Sequence, residues 1–232
     1  MTTTLITGAN KGLGHEAARR LLAAGHDVWI GARDPERGRA AAEELGARFV
    51  ALDVTDDAGV AAAARELDDA AGGLDVLINN AGIVGSLSIT VPETTAADVA
   101  RVLDTNVLGI VRVTQAFVPL LERSDNPVVV NVSSGMGSLA VTTDPERLES
   151  RIVGLAYPAS KSAVNMLTTQ YAKALPGMRV NAVDPGYTAT DFNGRSGHQT
   201  VEEGTDAIVA MAQIGADGPT GTFVDRHGAV PW

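Results

Sequence analysis

Cysteine is absent from this chain, which excludes disulfides and thiolate-held metals and is compatible with a reducing compartment. The four histidines, His15, His26, His198 and His227, are scattered and form no H-x-x-x-H pair, so no metal site is expected. Long apolar runs are missing too. None approaches the ~20 residues a membrane-spanning helix needs, and the opening stretch MTTTLITG has neither the basic region nor the hydrophobic stretch of a secretion signal. The expectation is a soluble, cytoplasmic protein without a membrane partner. Positive charge is scarce as well: 18 basic against 28 acidic residues give a formal charge of -10, the wrong sign for gathering nucleic acid or anionic lipid.

What the chain does have is 232 residues, 45% of them hydrophobic, enough for one sizeable core and somewhat short for two domains. Short apolar runs alternate with alanine-rich helical stretches. TLIT, DVWIGA, RFVALDV and LDVLINN read as strands, separated by helices near 16–24, 36–45 and 58–71. A long helix over about 96–121, PVVVNVSS, a helix over 157–175, RVNAV, a helix near 202–212 and GTFVD continue the pattern. Strands this apolar must be covered on both faces, so the prediction is a single-domain Rossmann-type α/β fold, a doubly wound parallel sheet with helices on both sides. In such sheets ligands bind beyond the carboxyl ends of the strands. The irregular stretches 135–156 and 187–200 both follow strands and are candidates for the walls of a pocket.

The first strand runs into TGANKGLG, with Gly8, Gly12 and Gly14 opening a helix whose amides and positive end can meet a pyrophosphate. A glycine-rich turn alone is equally compatible with positive φ or close helix–sheet packing. The second strand ends at Ala32, where an NAD-binding site would place a ribose-binding carboxylate, and Arg33 follows at once. Lys11 lies inside the glycine turn, so the two cations can flank the 2′-phosphate that marks NADP. The competing reading is that both are solvated, or that Arg33 pairs with Asp34 or Glu36. Asp53 ends the third strand and either accepts from an adenine amino group or caps the next helix. NNAG, from Asn79 to Gly82, ends the fourth strand, where structural and cofactor roles coexist.

In YPASK, Pro158 sits where a first helical turn tolerates proline, so Tyr157 and Lys161, four residues apart, share a helix face. An ammonium beside a phenol favours phenolate, which predicts a Tyr157 pKa below the ordinary value of about 10 and a usable general acid or base. Tyr171 and Tyr187 have no such lysine. Taken alone, Y-x-x-x-K arises easily by chance.

In conjunction, TGANKGLG, NNAG, NVLG at Asn106, NVSS, YPASK and DPG follow the order and approximate spacing of the short-chain dehydrogenase/reductase family, and the resemblance spans nearly the whole chain. It implies that Tyr157 exchanges the proton and that Lys161 lowers its pKa and binds the nicotinamide ribose. Ser134 would hold the substrate oxygen, with Ser133 as the fallback, and Asn106 a water or backbone carbonyl in a proton relay. The implied NADP(H) contacts are Gly8, Asn10, Lys11, Gly12, Leu13 and Gly14 in the turn, Arg33, Asp53 and Val54, then Asn79, Ala81 and Gly82. Pro185, Gly186, Thr188 and Thr190 would meet the nicotinamide, beside Tyr157 and Lys161. The stretch between Ser134 and Tyr157 is longer than usual for the family. Asp144 as N-cap, Pro145 at the first position, and Leu148, Ile152 and Leu155 at helical spacing predict an inserted helix near 144–155. This, with ARDPERG and the closing GPTGTFVDRHGAVPW, resembles the family's carbonyl-reductase branch, where the insertion goes with monomers. The expected activity is NADPH-dependent reduction of a small carbonyl, reversible as alcohol oxidation. The alternative is a non-catalytic NADP(H)-sensing regulator that binds a protein partner. Leu139, Ile152, Leu155, Tyr187 and Phe192 are candidates for an apolar pocket wall, though each is equally a packing residue. Aromatics, at 4% of the chain, say little about the substrate.

Overall fold

Strands β1 (Thr3–Thr7), β2 (Asp27–Ala32), β3 (Arg48–Ala51), β4 (Val76–Asn79), β5 (Val128–Val132), β6 (Arg179–Val183) and β7 (Phe223–Asp225) are short and apolar. In the computed structural model, which describes residues 1–86 and 90–232, they form one parallel sheet. A short β8 (Gly228–Ala229), not expected from the sequence, adds antiparallel to β7 and completes the order 3-2-1-4-5-6-7-8. Strand order reverses between β1 and β4, which opens a crevice at their carboxyl ends.

Successive strand residues face opposite sides, so each strand feeds two cores. Ile6, Ile30, Ile78 and Val130 pack against α1 (Gly12–Ala23), α2 (Pro35–Leu45) and α9 (Asp206–Ala212). Their neighbours Leu5, Trp29, Leu77 and Val129 pack on the other face, against α3 (Asp57–Ala71) and α5 (Gly109–Leu121). Local chemistry fixes the helix ends. The Asp34 carboxylate accepts from the amides of Glu36 and Arg37, Pro35 begins α2, and Gly46 at φ 72° ends it.

The expected long helix over 96–121 is one unbroken rod with a defect. α4 (Ala96–Leu103) passes through a π-helical segment, Asp104–Leu108, into α5. Helix α1 starts at Gly12, earlier than the apolar pattern indicates, because glycine conceals a helix start from any reading based on hydrophobic period. α8 (Val201–Gly204) is separated from α9 by Thr205, which the sequence reading merged.

The inserted helix near 144–155 is not formed. A five-residue α6 (Leu139–Thr143) precedes it, Asp144 closes that helix instead of capping a new one, and only Leu148–Arg151 turns, as a 3-10 segment. Leu148, Ile152 and Leu155 stay about half exposed, so the helical spacing finds no core face to bury and gains nothing from helix formation. α7 (Ala156–Ala174) then begins one residue before Tyr157, as the proline indicated.

Phe117 on α5 is fully buried, whereas Val153 is 83% exposed. Phe117→Ala should therefore cost ~3–5 kcal/mol of stability. Val153→Ala should leave the urea midpoint almost unchanged, and equilibrium unfolding of the two variants measures the difference.

Candidate active site

The glycine turn is shaped by backbone geometry more than by side chains. Gly8 and Gly12 have φ of 66° and 59°, a region costly for other residues. No side chain caps the first turn of α1 and no acid lies in it, which leaves its amides free for an anion. Gly14 acts differently from the expectation. A β-carbon there would lie 2.6 Å from Asn80 Nδ2 and 2.8 Å from Ala9 Cα, so this glycine permits packing behind the turn and does not face the crevice.

The crevice, about 920 Å³, runs from this turn to the amino end of α7. Asn10, Lys11 and Leu13 line it with Gly8 and Gly12, as do Arg33, Asp53, Val54, Ala81, Gly82, Pro185, Gly186, Thr188 and Thr190. Arg33 is exposed, and among the described residues it has no carboxylate ion-pair partner; Asp34 pairs with Arg37 at 3.4 Å. Lys11 lies 3.8 Å from Asp191. Asp53 is not the helix cap. Asp56 caps α3, while Asp53 Oδ1 accepts from the Thr55 amide and hydroxyl at 3.0 and 2.8 Å.

Asn79 corrects the sequence reading. Its Nδ2 donates to Asn131 Oδ1 at 2.9 Å and Thr114 Oγ1 at 3.3 Å, and Asn131 in turn donates to Thr168, forming a buried polar belt between the sheet and helices α5 and α7. Strand alternation turns it away from the crevice. The residue facing the ligand side is Asn80, whose Nδ2 donates to the carbonyls of Thr7 and Gly8 at 2.8 and 3.2 Å and braces the glycine turn. Alternation applied to the two asparagines was the signal that would have found it.

At the other end Tyr157, Ser134 and Lys161 line one wall. Ser133 is no substitute for Ser134, since its hydroxyl donates to Asn165 Oδ1 at 2.5 Å. Ser134 hydrogen-bonds the Tyr157 phenol and also accepts from the Met136 amide at 3.2 Å. Lys161 is 6% exposed, its Nζ donates to the Val132 carbonyl at 2.7 Å, and it sits 5.6 Å from the centre of the Tyr157 ring. Asn106, in the π-helical segment, does not reach the crevice. It grips Ile83, accepting from its amide and donating to its carbonyl at 2.8 Å, and donates to Ser160 Oγ at 3.0 Å. Ser160 in turn donates to the Tyr157 carbonyl at 2.7 Å. The loop after β4 and the start of α7 are thereby tied through one buried amide.

The electrostatics differ from the sequence expectation. Burial pushes the Tyr157 phenol above its ordinary pKa; the Ser134 hydrogen bond opposes this and the charge of Asp184 adds to it. Lys161 does not reverse the direction, because its ammonium is directed at Val132 and is itself desolvated. Burial brings its pKa down to about 8, with Asp184 pulling the other way. Asp184, directly after β6 in the DPG stretch, is a buried acid of the site that the sequence alone gives no signal for.

Residues 2–200 match the family model described as short chain dehydrogenase. The chain belongs to the short-chain dehydrogenase/reductase family. A short-chain dehydrogenase/reductase of Saponaria officinalis is 33% identical to it, covering 98% of this chain and 95% of the relative. The (+)-neomenthol dehydrogenase of Arabidopsis thaliana is also 33% identical, over 96% and 95% of the two chains. Among solved structures, the NADPH-bound carbonyl reductase from chicken fatty liver superposes with a TM-score of 0.88 at 29% identity, covering 100% of this chain and 99% of that one. The alignment to the Saponaria relative spans 287 residues against 232 here, so this short-chain dehydrogenase keeps the sheet and crevice without insertions present in that relative. It is an enzyme of an oxidoreductase family that uses nicotinamide cofactors.

The two asparagines separate belt from crevice. Asn79→Ala leaves Asn131 Oδ1 unpaired and should cost about 1–3 kcal/mol of stability with little change in nicotinamide-nucleotide affinity. Asn80→Ala should weaken nucleotide binding more than it lowers the urea midpoint; fluorescence titration and unfolding of both variants test the assignment.

Proposed function

We propose that this enzyme reduces a small carbonyl compound with NADPH, with Tyr157 as the proton donor, and that alcohol oxidation is the reverse reaction. The observation that carries the reading is the meeting of Tyr157, Ser134 and Lys161 on the wall of the crevice that also holds the glycine turn. The residues fit the nucleotide: an uncapped helix start for the pyrophosphate, and Arg33 with Lys11 on the side where Ala32 stands in place of a ribose-binding acid. The carbonyl reductase neighbour bound to NADPH supports the same choice of cofactor.

A bound nicotinamide supplies the hydride for the substrate carbonyl carbon. The chain's own groups handle the oxygen. Ser134 donates to it and orients it, and Tyr157, held in its hydroxyl form by burial, transfers its proton as the alkoxide develops. Lys161, fixed by the Val132 carbonyl, stabilises the phenolate left behind and would hold the ribose of a bound nucleotide. Asn106 keeps Ile83 and the first turn of α7 in register, so Tyr157 meets the substrate at a set position. The substrate side of the crevice is lined by Leu148, Ile152, Val153, Leu155 and Phe192, which favours an apolar carbonyl compound.

Tyr157→Phe should abolish NADPH oxidation with aldehydes and ketones while retaining NADPH binding; a folded variant that still turns over removes Tyr157 from the mechanism. Arg33→Asp should shrink or invert the preference for NADPH over NADH, read as the ratio of dissociation constants. Lys161 loses its proton near pH 8. kcat/KM for reduction should therefore fall as the pH rises through about 8, and a flat profile from pH 7 to 9 contradicts that role.

A further inference from the structure

Arg112 on α5 does not line the crevice and has no task in the reaction proposed above, yet all three of its guanidinium nitrogens are engaged. Nε donates to Asp57 Oδ1 at 3.0 Å, Nη1 to the carbonyls of Val54 and Asp104, each at 3.3 Å, and Nη2 to Asp104 Oδ1 at 2.8 Å. The side chain is 19% exposed. Directed bonds to three separate residues fix a side chain that would otherwise keep its rotamer freedom.

These contacts differ in weight. Asp57 is 83% exposed, and an ion pair in that setting contributes little. Asp104 matters more because of where it stands. It opens the π-helical segment, and its carbonyl accepts from the Gly109 amide five residues on, the bond that makes the turn wide. Arg112 adds a second donor to that carbonyl and takes the carboxylate of the same residue. Val54 gives the guanidinium a fixed seat from outside the helix. A β-carbon at Gly109 would lie 2.9 Å from Val54 Cγ2 and 3.0 Å from its Cβ, so glycine lets the helix press against the loop after β3 at this point. A wide turn is rare in helices, and the braced Asp104 supplies a local reason for this one.

We propose that Arg112 is a positioning residue of the reaction: anchored on Val54, it holds the π-helical segment in the geometry that lets Asn106 reach Ile83 and Ser160. The proposal rests on Tyr157 being the proton donor. The path is a run of hydrogen bonds. Asn106 stands two residues after Asp104, it donates to Ser160 Oγ at 3.0 Å, and Ser160 donates to the Tyr157 carbonyl at 2.7 Å. Arg112 touches neither Tyr157 nor the crevice, so it acts on the chemistry only through Asn106.

Arg112→Met tests this, because it keeps an unbranched stem and removes every donor. The Ile83 amide, which donates to Asn106 Oδ1, reports on the segment without any substrate. In NMR hydrogen exchange its protection should fall roughly tenfold or more relative to that of Val129 in β5. kcat for NADPH-dependent reduction should fall by roughly ten- to a hundredfold, the loss expected of a displaced donor. In an Asn106→Ala background, where the path is already cut, Arg112→Met should lower kcat no further, whereas independent effects multiply. Unchanged Ile83 protection in the folded variant, or effects that multiply in the double variant, overturns the proposal. If Tyr157→Phe is inactive while Arg112→Met keeps the wild-type kcat, this inference fails and the proton-donor reading stands. If Tyr157→Phe remains active, the donor reading fails, and the Ile83 exchange with the double variant still decides whether Arg112 acts through Asn106. Should Arg112→Met not fold, Arg112→Lys takes its place: one ammonium cannot serve Val54, Asp104 and Asp57 together. Ile83 protection and kcat should then still fall, by smaller factors, and wild-type values in that variant refute the proposal.

Discussion

The Lys161 ammonium is carried into a region where it is 6% exposed, and the Val132 carbonyl at 2.7 Å is the protein partner that holds it. Much of the site geometry follows from that contact. It joins the carboxyl end of β5 to the second turn of α7, so the helix cannot slide along the sheet without stripping a desolvated cation of its acceptor, a cost of several kcal/mol in a dry interior. Once α7 is fixed there, Tyr157 one turn earlier must stand over the end of β5, where Ser134 begins the next turn. The tyrosine is thus placed by the lysine as much as tuned by it.

Buried amides keep this joint from loosening. Asn79, Asn131, Thr114 and Thr168 form a belt between the sheet and helices α5 and α7, and the two-way grip of Asn106 on Ile83 extends it to the loop after β4. The π-helical segment around Asn106 belongs to the same design. A regular helix would hold every amide and carbonyl in its own ladder, whereas a bulge re-aims a side chain at a neighbouring loop. The site needs these polar groups satisfied, since each unpaired one would invite water next to Tyr157.

Alternating apolar runs and alanine-rich stretches made the strands and α2 legible, and Pro158 made the start of α7 legible almost to the residue. Where the reading slipped, long-range contact decided. Helical spacing at Leu148, Ile152 and Leu155 promised a helix, but residues that line a crevice have no facing core to reward one. Asn79 and Asn80 are indistinguishable by composition, and only the pleat assigns one to the belt and the other to the glycine turn. The direction of the Tyr157 shift failed for a related reason. Sequence spacing places an ammonium near a phenol, but it carries no information on how far both are desolvated, or on Asp184, which is distant in sequence and lines the same crevice.

A phenol pushed upward is compatible with proton donation once the acceptor is considered. The alkoxide formed from a carbonyl is a far stronger base than any phenolate, so the transfer remains downhill even from a buried tyrosine. What burial changes is timing. A phenol whose pKa was already depressed would be partly ionised before the substrate oxygen carried charge, and an ionised phenol cannot donate. In the proposed reduction, desolvation would keep the proton on Tyr157 until negative charge develops within reach. The ammonium of Lys161, nearby but directed at Val132, would then stabilise the product of the proposed transfer more than its reactant.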